Sequence, residues 1–79
     1  MSNFISNYIN DNEFRLTLYD NKLHIINLKR IITLEDNYIS ILSINKKINI
    51  TGTNLVLIKL LEDEMLIKGN ITKIEVIND

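Results

Sequence analysis

One histidine, one run of three carboxylates and two basic pairs are the side chains of this chain whose types could do chemistry. His24 is the only histidine, and the chain has no cysteine. A zinc site needs three or four nitrogen or sulfur ligands, so His24 has no companions for one. A catalytic role would need a nucleophile or an orienting carboxylate within reach. The alternation Leu23-His24-Ile25 turns the imidazole outward, which reads as a surface histidine. Glu62-Asp63-Glu64 could attract a hard cation, but it lacks the spaced oxygen ligands of a calcium loop. It reads as a solvated turn that keeps apolar strands from mispairing. Lys29-Arg30 and Lys46-Lys47, with Tyr19 and Tyr38, supply a weak version of the basic, aromatic face that binds single-stranded nucleic acid. Nine Lys+Arg against ten Asp+Glu, a net charge of −1, argue against that partner. No catalytic residue, metal ligand or cofactor site is expected, and the chain reads as non-enzymatic.

The elements that must position these groups are strands. Both glycines, Gly52 and Gly69, follow an Ile-x pair, in Ile50-Thr51-Gly52 and Ile67-Lys68-Gly69. Neither lies in a glycine-rich strand-to-helix phosphate loop. They read as fold-setting positions, a turn or bulge or a close approach of another backbone. Isoleucine dominates the apolar residues, and a branched Cβ suits a pleated surface. There is no proline, so Asn, Asp and Gly must make the turns.

In chain order, Phe4, Ile5, Tyr8 and Ile9 share one helical face, and the spacing predicts a short helix in an N-terminal segment, residues 1–12. Residues 13–79 read as one all-β domain. Phe14–Tyr19 alternates, Asp20-Asn21 turns, and Lys22–Leu28 follows. Arg30–Leu34 precedes the turn Glu35-Asp36-Asn37. Tyr38–Ile44 ends at Asn45-Lys46-Lys47, Ile48 and Ile50 start the next strand, and Leu55–Leu61 is almost wholly apolar. Met65 and Ile67 lead to Gly69, and Ile71, Ile74 and Val76 close the chain. Ile32, Ile41 and Ile50 are nine apart, as are Ile58, Ile67 and Val76. The expectation is an antiparallel meander of seven or eight short strands.

A strand apolar on both faces must lie inside a layered fold or against another chain. Leu55–Leu61 is the fullest case, so Leu55, Leu57, Ile58 and Leu60 are the expected interaction surface, with Phe4 and Tyr8 as a second handle. A homo-oligomer is the expected state. With no apolar run near the length of a membrane span and no signal-like start, the expected location is the cytoplasm.

The residues from about Phe14 to Ile77 resemble the YabP/YqfC family of sporulation proteins, in its YqfC branch. A Pro-Arg-Ile-Thr-like strand of that family is similar to Phe14-Arg15-Leu16-Thr17-Leu18-Tyr19-Asp20-Asn21. An Ile-x-Asn-x-Lys-x-Ile segment resembles Ile25–Ile31. Ile-x-Gly-x-x-Leu-x-Ile, an acidic turn and Ile-x-Gly-x-Ile resemble Ile50 through Ile71. Phe14 stands where the family usually has proline, Asp20 and Asn45 where it often has glycine, and the branch's basic N-terminal extension is not matched. The resemblance implies a role in bacterial endospore formation, in the mother cell or developing spore, through contact with itself or another sporulation protein. It implies no catalytic residue.

Overall fold

The computed structural model describes residues 14–78. The helix expected near Phe4 and Tyr8 lies outside these residues. Six antiparallel strands form a single sheet: β1 (Arg15–Tyr19), β2 (Lys22–Ile26), β3 (Arg30–Leu34), β4 (Tyr38–Leu42), β5 (Lys46–Leu60) and β6 (Glu64–Asn78). The count falls below seven or eight because the glycines do not end strands. Gly52 lies inside β5 and Gly69 inside β6, each of 15 residues.

The spatial order is β1-β2-β6-β5-β4-β3. The meander holds from β3 to β6, but β2 pairs with β6 and not with β3. Core-facing residues line up across the sheet in four rows. Leu16–Ile25–Met65–Leu60 and Leu18–Leu23–Ile67–Leu57 cross one half, and Ile31–Ile41–Ile48–Val76 and Leu34–Ile39–Ile50–Ile74 cross the other. In a flat sheet the first and third rows would lie twelve residues apart along β5, roughly 40 Å at the rise of a strand. The chain from Ile25 to Ile31 reaches at most about 20 Å. The sheet is therefore folded: β5 and β6 bend together at their middle, and two four-stranded half-sheets enclose the core. The ladder is irregular at the bend, between Thr51 and Gly52 and between Thr53 and Val56, with positive φ at Asn54 (55°) and Gly69 (148°).

The central two residues of every row are fully buried: Ile25, Met65, Leu23, Ile67, Ile41, Ile48, Ile39 and Ile50. Leu28 and Leu55 complete the single core cluster. The row ends are the rim. Leu16, Leu57, Ile31 and Ile74 are half-buried against the core, while Leu60, Leu18, Val76 and Leu34 are exposed.

The two halves are related by an approximate two-fold axis. Residues 17–28 match residues 33–44 at a constant offset of 16, with Thr17/Thr33, Leu18/Leu34, Asp20/Asp36, Asn21/Asn37 and Ile25/Ile41 identical. Residues 47–52 match 64–69 at an offset of 17, with Ile50/Ile67 and Gly52/Gly69 identical. The pairings obey the same operation: Leu23↔Ile67 becomes Ile39↔Ile50, and Thr51↔Lys73 becomes Val56↔Lys68. The pair Thr53↔Asn70 maps onto itself and marks the axis. Hydrogen bonds follow too. The Gly52 N–H donates to the Asn37 carbonyl as the Gly69 N–H does to that of Asn21. The Ser43 N–H donates to the Lys46 carbonyl as the Asn27 N–H does to that of Asp63. In one half this last bond closes a covalent hairpin from β4 to β5. In the other it joins β2 to β6, because the chain leaves β2 for β3.

Candidate functional site

Gly52 and Gly69 sit at the bend for steric reasons. A Cβ on Gly52 would stand 2.2 Å from the Asn70 carbonyl oxygen and 3.0 Å from Leu55 Cδ2. One on Gly69 would stand 2.7 Å from the Asn54 carbonyl oxygen, at a φ of +148° that side-chain-bearing residues rarely adopt. The two β-turns seal the bend. The Asn37 carbonyl takes the Gly52 N–H, that of Asp36 takes the Leu55 N–H at 2.8 Å, and that of Asn21 takes the Gly69 N–H at 2.9 Å.

The strand expected to meet a partner is divided. Leu55 is a core residue, 5% exposed, packed between the glycines, so it presents no surface. The reason is the bend, which turns the start of this run inward. Leu57 is half-buried against the core. Ile58 and Leu60 are exposed, as are Val56 and Leu61. Phe4 and Tyr8 lie outside the described residues.

His24 and Glu64, 40 residues apart in sequence, meet side by side on the outer face of the first half-sheet. The His24 Nε2–H donates to Glu64 Oε2, with the side chains 29% and 26% exposed. A side-chain hydrogen bond placed diagonally across a ladder clasps the two strands. The pair ties β2 to the first residue of β6. Glu64 was expected in a carboxylate turn with Glu62 and Asp63. Instead it enters the strand, while the Asp63 carbonyl accepts from the N–H groups of Asn27 (2.7 Å) and Leu28 (3.1 Å). Among the described residues, no group of three or more His, Asp or Glu is placed to hold a metal ion.

Charge is sorted by position. Asp20, Glu35, Asp36, Glu62 and Asp63 lie at turns, whereas Arg15, Lys22, Lys59 and Lys68 lie on the outward rows of the first half-sheet beside Tyr19, where Glu64 is the one carboxylate among the described residues. The basic pairs singled out in sequence are separate from this face: Lys29 lies in the β2–β3 connection and Lys47 on the second half-sheet. Spacing along the chain could not reveal this grouping, since it draws on four strands.

The sheet edges are the other candidate surface. Besides β1 and β3, the C-terminal parts of β5 and β6 each have one side with no strand partner among the described residues. No helix among the described residues is long and apolar enough to cross a membrane. No protein-family model, no curated protein and no solved structure matches the chain.

Proposed function

We propose that this is a non-enzymatic protein of bacterial endospore formation that acts through protein–protein contacts. The observation that supports contact as its mode of action is the rim of the core. Leu18, Leu34, Leu60 and Val76 face the core side of their strands yet remain exposed, each at a sheet edge. Apolar side chains at unpaired edges are where another chain adds both main-chain hydrogen bonds and buried area. The process rests on the resemblance to the YqfC branch, and with it a cytoplasmic place in the mother cell or developing spore. Inactivating the gene in its endospore-forming host should lower the yield of heat-resistant spores without slowing vegetative growth. A normal spore yield would refute the role.

A second reading, single-stranded nucleic-acid binding, is favoured by one observation, the cationic outer face of Arg15, Lys22, Lys59 and Lys68 beside Tyr19. Phosphate contacts are screened by salt. This reading expects binding of an oligonucleotide at low salt that is lost in Lys22→Glu/Lys68→Glu.

A further inference from the structure

We propose that the chain forms a two-fold dimer by antiparallel pairing of the free edge of β6 with the same edge of a second copy, the axis passing beside Ile74. This rests on the reading that the protein works through protein contacts, and names the partner and the surface.

The approximate symmetry of the chain isolates the edge. The C-terminal parts of β5 and β6 are equivalent, and each leaves one side open. On β5 the ladder slips between Leu57 and Lys59, so that Ile58 bulges. A bulge is a device that stops an edge from recruiting a strand. The position equivalent to Ile58 on β6 is Glu75, and there the ladder runs without a slip from Lys73↔Thr51 to Asn78↔Lys46. Of two matched edges, one is blunted and one is left straight.

The side chains of the straight edge choose a register. Two copies related by an axis normal to the sheet place residues of the same face opposite each other. Centring on Lys73 or Glu75 sets like charges face to face, which is unfavourable. Centring on Val76 sets Glu75 against Ile77. Centring on Ile74 sets Lys73 against Glu75 of the second copy, twice by symmetry, on the outer face. On the core side it sets Ile74 against its own copy, with Val76 diagonal to it. Lys73 and Glu75 are exposed, Glu75 Oε1 accepting only a long 3.5 Å bond from Asn49 Nδ2, and Val76 is 46% exposed. The result is a continuous eight-stranded sheet from the two second half-sheets, with the core rim covered where Val76 now lies open.

The test uses the whole chain and sedimentation equilibrium. Wild type should be dimeric. Lys73→Glu alone and Glu75→Lys alone each turn two attractive pairs into two repulsive ones and should raise the dimer dissociation constant about tenfold. The double variant Lys73→Glu/Glu75→Lys should restore it. Both sites are exposed, so thermal melting of the three variants by circular dichroism should stay unchanged. Because the chain has no cysteine, Ile74→Cys is a second reporter: under oxidation it should give a disulfide-linked dimer, and Lys73→Cys should not. A wild-type monomer at all concentrations, or a dimer indifferent to charge reversal, overturns the proposal. A dimer weakened instead by Ile58→Lys would assign the contact to β5. Either result leaves the spore-yield test, and the broader reading it examines, untouched.

Discussion

At the residue scale the chain is most sensitive where backbone meets backbone. Gly52 fits only because nothing projects from its Cα toward the Asn70 carbonyl. Gly52→Ala must separate β5 from β6 at the bend, since a backbone oxygen at 2.2 Å cannot swing aside as a flexible side chain could. Backbone strain of this kind costs on the order of 1–3 kcal/mol, which for a domain of this size lowers the melting temperature by roughly 5–20 °C. A scan showing Gly52→Ala melting with wild type would refute the contact. Ser43 is the opposite case. Its Oγ is buried and has no hydrogen-bond partner among the described residues, whereas Ser40 Oγ donates to Asn49 Oδ1 at 2.9 Å. A buried unpaired hydroxyl costs about 1–3 kcal/mol, and removing it leaves nothing unsatisfied. Ser43→Ala should stabilise the fold, and Ser40→Ala should destabilise it by leaving Asn49 without its donor; urea titration of both separates the signs. The alternation around His24 was enough to place it outward. That Glu64 would meet it was not legible, because the contact depends on β2 choosing β6, 40 residues away.

At the element scale, strands and turns were legible from alternation and from Asp-Asn, and their pairing was not. The nine-residue spacing of isoleucines is a poor guide: Ile41, Ile50 and Ile67 enter the core, but Ile32 and Ile58 fall at bulges and are exposed. The informative periods are 16 and 17, and they become visible only once β2–β6 is seen to copy β4–β5. Propensity says nothing about a strand bending in its middle, so one bent pair of strands reads as two straight ones. The symmetry carries an energetic expectation. Ile50 and Ile67 hold equivalent positions, both fully buried, each beside a buried partner from the adjoining hairpin. Truncating either to Ala removes the same methyl groups from matched surroundings and should cost about 2–5 kcal/mol. The two costs should agree within about 1 kcal/mol, while Ile74→Ala at the rim costs less than either. Strongly unequal values for Ile50→Ala and Ile67→Ala in denaturant titration would show that the halves are alike in outline only.

At the scale of the whole molecule, the two halves are alike in contacts but unlike in connection, and this separates stability from folding order. From β3 to β6, reaching across both half-sheets, each consecutive pair of strands is joined by a short turn, so each hairpin starts from a loop that is inexpensive in entropy. In the first half-sheet, β1–β2 is a local hairpin whose docking on β6 closes a loop of some forty residues. Contacts separated that far along the chain form after local ones, because loop closure precedes any return from the contact. The nucleus should therefore hold β3 to β6, with β1–β2 docking late. Ile41 on β4 and Ile25 on β2 are equivalent, identical and fully buried, which makes them a matched pair of probes. Ile41→Val and Ile25→Val should lose similar stability, about 0.5–1.5 kcal/mol each. Ile41→Val should lose it chiefly as slower folding, and Ile25→Val chiefly as faster unfolding, giving a high φ-value at residue 41 and a low one at residue 25. Stopped-flow folding and unfolding rates across denaturant measure both. Equal φ-values would mean that β2 reaches β6 as early as β4 reaches β5, and that the three residues between β2 and β3 hold the halves together before either is complete.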